Sequence, residues 1–111
     1  MAVYVSNIVI EQGYDFDTSF QLEDTRTNSL MNLTGYGATG EIRKHYGANS
    51  SIAFGSSITS PEQGIISISL TSSQTSNLTP GRHVFDVKLI VQGKSYKAVE
   101  GAALVRAGVT K

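Results

Sequence analysis

The side chains here that could do chemistry are two histidines, nine carboxylates and many hydroxyls. By strand parity, His83 shares a face with Phe85, and His45 lies opposite Ile42. Hydrolysis by Ser, His and Asp needs a nucleophile held against its base, and a common carrier is a Gly-x-Ser-x-Gly elbow. The chain has no such elbow, so both imidazoles are expected at surface or rim positions. Asp15 and Asp17 point to one face, with Glu11, Glu23 and Asp24 near in sequence. A calcium site gathers several oxygens from loops. Two carboxylates two apart on a strand are more simply its solvated side. Gly35, Gly37 and Gly40 approach a phosphate loop in composition, but they sit within an alternating strand. There, glycine marks a bulge or a close backbone approach. Tyr4, Tyr14, Tyr36, Tyr46 and Tyr96 could line a sugar platform, although tyrosine in a small β core more often buries its ring and wets its hydroxyl. No catalytic residue, metal or cofactor is expected.

Composition narrows the classes further. The 111 residues include no Cys and no Trp, so disulfide scaffolds and thiolate metal sites are excluded. Net charge is zero, which argues against a nucleic-acid binder driven by phosphate contacts. No apolar run is long enough for a membrane-spanning helix, and no basic-then-apolar leader is seen. The sequons at Asn32, Asn49 and Asn77 then follow from a chain in which 24 residues are Ser or Thr.

The elements that must position these groups are strands. Tyr14, Phe16, Thr18, Phe20 and Leu22 alternate with polar residues, as do Phe85, Val87, Leu89 and Val91 with a mostly polar set. Period two predicts strands with one face on a core. Strands are expected near 3–11, 14–23, 36–46, 52–58, 64–70, 82–92 and 94–106, in one domain spanning 1–111. Seven short strands between turn residues predict an all-β, immunoglobulin-like antiparallel sandwich. Residues 24–34 form a long connection between sheets. Gln92-Gly93 is expected to close a tight hairpin. Thr71-Ser72-Ser73-Gln74 fits a capping box, which predicts one helical turn near 71–78, held over one end by Leu70 and Leu78. A bulge between Ala98 and Gly101 reconciles the two phases of the last strand.

Two features point to partners. Val3, Tyr4, Val5, Ile8, Val9 and Ile10 place apolar groups on both faces of the first strand. One face must meet something beyond the core, either the 24–34 connection or a neighbouring subunit. Charge is also polarised. Residues 1–35 carry five acids and one base, and residues 81–111 six bases and two acids. These segments either pair inside the fold or favour head-to-tail contacts between copies.

A series of short motifs carries a resemblance. Leu33-Thr34-Gly35-Tyr36 precedes Glu41-Ile42-Arg43-Lys44. Then come Gly64-Ile65-Ile66-Ser67-Ile68-Ser69-Leu70-Thr71, Leu78-Thr79-Pro80-Gly81-Arg82-His83-Val84-Phe85-Asp86-Val87, Glu100-Gly101 and Val109-Thr110-Lys111. In order and spacing, residues 33–111 resemble small phage virion proteins related to the N-terminal domain of the phage baseplate upper protein. His83 and Phe85 stand where that pattern usually has Tyr. The resemblance implies a non-enzymatic structural subunit of the virion, made in the host cytoplasm and assembled in multiple symmetric copies. Tail or baseplate is the first expectation. A capsid-decorating or head–tail connector protein of the same fold is the alternative, as is a carbohydrate-binding host-attachment module. Its partners would be other virion proteins and copies of itself, with no nucleic acid and no membrane. Arg43 and Asp86 share the outward parity of their strands and are expected to pair across one sheet.

Overall fold

Alternation of apolar and polar residues dictates the layout. The computed structural model describes residues 4–24, 29–45, 47–48 and 51–109. They fold as an all-β sandwich of two main sheets. The strands are β1 (Tyr4–Val5), β2 (Ile8–Glu11), β3 (Phe16–Gln21), β4 (Glu23–Asp24), β5 (Ser29–Leu30) and β6 (Gly37–Arg43). They continue with β7 (Ile52–Ala53), β8 (Gly55–Ser60), β9 (Ile65–Leu70), β10 (Gly81–Val91) and β11 (Lys94–Arg106). The larger sheet runs β1-β11-β10-β6-β7, with β2 also on β11, and the smaller runs β3-β9-β8.

One element departs from an antiparallel sandwich. β1 and β2 both pair with β11 in parallel, Tyr4 opposite Val99 and Ile8 opposite Ala103. The predicted strand 3–11 is therefore two short strands. The break has a local cause. Ser6 N–H donates to Glu100 O at 3.0 Å, and the Ser6 carbonyl lies over Gly101, where a side chain would collide with it.

The predicted strand 52–58 also breaks, because it changes sheets. β7 pairs with β6, Phe54 N–H donates to Gly40 O at 2.9 Å, and from Gly55 the chain pairs with β9. Gly40 allows this crossing, since a β-carbon there would lie 2.7 Å from Asp86 O and 3.2 Å from the Phe54 ring. The close backbone approach expected of that glycine is present.

The core lies between the sheets. Phe20, Ile66, Ile68 and Leu70 come from the smaller sheet, and Ile42, Phe85, Val87, Leu89, Val99 and Val105 from the larger. Phe85 stacks on Phe20 at 6.5 Å and meets the edge of Phe54 at 6.1 Å, so these three rings join both sheets to the crossing strand. A buried side chain of this size contributes about 1.5–3 kcal/mol.

The connection 24–34 does pass between sheets. It holds the small β4–β5 ladder, then Leu33 N–H bonds to Pro61 O at 2.7 Å. Its anchor is Gly64, at φ 70° between Leu22 and Met31, where a β-carbon would meet the carbonyls of both at 2.7 Å.

The capping box closes one end. Thr71 Oγ1 accepts from Gln74 N, and Gln74 Oε1 accepts from Thr71 N, which starts helix α1 (Ser72–Ser76). Buried Thr75 accepts from Gly13 N at 3.0 Å and donates to Tyr14 O at 2.8 Å. The helix therefore fastens the β2–β3 turn, with Leu70 and Leu78 buried beside it. The last strand's irregularity lies at Ala98, between Lys97 opposite Lys88 and Val99 opposite Val87. Both Ala98 and Val99 are buried there, so the extra residue shifts the strand's phase just before the predicted span.

Candidate functional site

The first apolar strand divides its residues between two surroundings. Ile8 and Ile10 face inward and belong to the core. Val5 and Val9 face outward and remain 71% and 51% exposed. Tyr4 is described through its backbone pairing with Val99, and Val3 lies outside the described residues. The 24–34 connection hydrogen-bonds to Leu22 and Pro61, so its backbone anchors lie away from β1 and β2.

The outward valines have apolar company. Val9 stands opposite Leu104, itself 47% exposed, in the β2–β11 register. Two residues along, half-buried Ala102 stands opposite half-buried Val84. Together they make an apolar strip on the outer face of the larger sheet, beside the edge that β1 and β2 form among the described residues. Water covers this strip at a cost that a partner surface would remove. Sequence parity alone could not find Leu104, because its neighbour depends on a parallel pairing.

Charged groups surround the strip. Asp86 stands between Glu100 on one side and Glu41 on the other. Like charges directly across strands destabilise a sheet. The outer two are paired, Lys97 Nζ with Glu100 Oε2 at 3.2 Å and Arg43 Nη2 with Glu41 Oε2 at 3.1 Å. Arg43 Nη1 also donates to Ala48 O at 2.9 Å.

The expected pairing of Arg43 with Asp86 is thereby corrected. Both do lie on the outer face of neighbouring strands. However, the register sets Val84 opposite Arg43, and Glu41 on the same strand takes the guanidinium. A shallow trough of about 510 Å³ runs over this face, lined by Thr39, Glu41, Arg43, Val84, Asp86 and Lys88. Among the described residues the polarised segments meet within the fold where Arg106 Nη1 reaches Glu11 Oε1 at 3.3 Å.

The remaining candidates are dispersed. His45 is exposed, whereas His83 is buried rather than at a rim, with Nε2 2.7 Å from Thr79 O. That carbonyl only accepts, so Nε2 carries the proton and donates. Asp15 Oδ1 accepts from Ser72 N at 2.7 Å, an additional tie between the β2–β3 turn and α1. Asn32 Oδ1 accepts from Thr34 N and Oγ1, which gives that Asn-x-Thr a local structural use. Among the described residues no group of three or more His, Asp or Glu could hold a metal ion. Tyr14 and Tyr96 are exposed, but Tyr14 follows β2 near Arg106 while Tyr96 is ten residues back along β11. That length of strand spans about 33 Å. The two rings do not form one platform.

Comparison with models of protein families and with curated proteins finds no match. Among solved structures, 91% of the chain is similar to InlP of Listeria monocytogenes, at 19% identity and a TM-score of 0.49. All of it is similar to part of a family 123 glycoside hydrolase from Clostridium perfringens, at 14% identity and a TM-score of 0.43. The chain spans about a quarter of each, 26% and 24%.

Proposed function

We propose that this chain is a non-enzymatic assembly subunit of a phage particle, placed first in the tail or baseplate. The observation that carries the assembly reading is the exposed strip of Val5, Val9 and Leu104 at the β1–β2 edge of the larger sheet. A sandwich needs only one apolar face per sheet, and its second face is normally polar. Here the outer face is apolar just where the sheet ends, which suits burial against another subunit. The phage location comes from the motif resemblance over residues 33–111. A capsid-decorating or head–tail connector role would use the same surface.

Quantitative mass spectrometry of purified phage particles tests the proposal. The expected result is the chain at a constant copy number relative to the major capsid protein. Its absence from purified particles, with the chain abundant in the infected lysate, would overturn the reading.

A further inference from the structure

The smaller sheet has an unprotected edge. β3 pairs with β9 on one side, and among the described residues no strand lies on the other. One hydrogen bond fixes the direction of its backbone groups. Leu22 N–H donates to Gly64 O at 2.8 Å, in line with the β3–β9 register. Antiparallel ladders alternate between pairs that exchange hydrogen bonds and pairs that do not. Phe16, Thr18 and Phe20 share the parity of Leu22 and therefore turn their backbone groups to β9. Asp17, Ser19 and Gln21 turn theirs to the open side. A groove of about 340 Å³ lies there, between residues 6–9 and residues 16–20.

Natural edges are usually guarded by lysine, proline, a bulge or very short length. β3 has six residues, no Lys, no Pro and an unbroken register with β9. Charge then selects the occupant. β3, β8 and β9 contain no Lys or Arg, and their one charged residue is Asp17, with Asp15 and Glu23 flanking β3. Pairing two copies of β3 would bring acids together with no base between them. An extended segment of another chain would be attracted if it carried Lys or Arg at alternate positions. Its apolar positions would lie beside Phe16 and Phe20, and its bases opposite Asp17. Cross-strand pairs of opposite charge favour that register.

We propose that the free edge of β3 is a docking edge for an extended, basic-alternating segment of a different protein, which joins the smaller sheet as a fourth strand. The groove borders the Val9–Leu104 strip at Val9, but the edge itself belongs to β3 and its pairing does not depend on that strip.

The test is a titration of the isotope-labelled full chain with the blocked peptide Thr-Lys-Val-Lys-Val-Lys-Thr, followed by amide NMR. A matched peptide with Glu for Lys is the control. Saturable shifts are expected at residues 6–9 and 16–21, with the Glu peptide about tenfold weaker or more. Ser19→Pro should weaken the Lys peptide about tenfold without loss of fold, because proline is tolerated where a strand N–H faces water. If Ser19→Pro does not fold, Asp17→Lys carries the test, and the preference should invert toward the Glu peptide. Lack of saturation, equal affinity for both peptides, shifts confined to Glu41, Asp86 and Glu100, or an unaffected Ser19→Pro would each overturn the proposal. Self-association of the free chain that Ser19→Pro abolishes would overturn it too, in favour of a second copy at this edge.

Discussion

The carbonyl of Ser6 occupies the place that a β-carbon on Gly101 would take. Ser6 N–H bonds to Glu100 O, and Asn7 Oδ1 accepts from Ala102 N at 3.3 Å, so the segment joining β1 to β2 presses against β11 at this glycine. Gly101→Ala should therefore lift β1 and β2 from β11. A loss of about 3 kcal/mol is expected, at the upper end for overpacking. Urea unfolding measures the loss. Amide exchange should show lost protection first at residues 8–10.

The apolar strip gives a second prediction. Val9→Asp combined with Leu104→Asp removes two exposed apolar side chains and leaves the core untouched. Folding stability should change little, each exposed site by about 0.5 kcal/mol or less. Self-association, read by sedimentation equilibrium, should weaken by about tenfold or more. An unchanged association constant would remove this strip from the assembly surface.

The β10–β11 hairpin is strained at one residue. Gln92 has φ 50° and Gly93 φ 77°, the signs of a type I′ turn. Asn accepts positive φ at lower cost than Gln. Gln92→Asn should raise stability by about 0.5 kcal/mol, seen as a higher midpoint in thermal unfolding.

Thr75 holds the helical turn to the β2–β3 turn through its hydroxyl. Thr75→Val keeps the shape and leaves Gly13 N–H and Tyr14 C=O without that partner. The expected cost is about 1–3 kcal/mol by urea unfolding. Thr75→Ser keeps the hydroxyl and should cost less than Thr75→Val.

Strand faces were legible in the sequence because period two decides them locally. Phe16 to Leu22 and Phe85 to Leu89 orient as their alternation requires, and Thr71 to Gln74 forms its capping box. Partners were not legible. Arg43 is on the outward face as read, yet which residue stands opposite depends on how β6 and β10 slide together, and the answer is Val84. The split of residues 3–11 has its cause at Gly101, and the split of 52–58 arises where Phe54 passes Gly40. Leu104 joins Val9 only through a parallel ladder. For the same reason the open edge of β3 was hidden, since an edge is defined by which neighbour is missing. Local pattern therefore finds faces, whereas sites built from strand order need the pairing.

The parallel seat of β1 and β2 on β11 also governs how the chain comes into being. Asn7 Oδ1 and Ala102 N, 95 positions apart, meet across that seam. During synthesis the first two strands leave the ribosome long before their template exists. Until β11 has emerged, Ile8 and Ile10 lack the strand that completes their side of the core. Contacts between remote positions are slow to form, and exposed strand edges invite aggregation meanwhile. Emergence of β11 is thus the moment at which β1 and β2 can first be seated, and a truncation before Lys94 would leave them without a template.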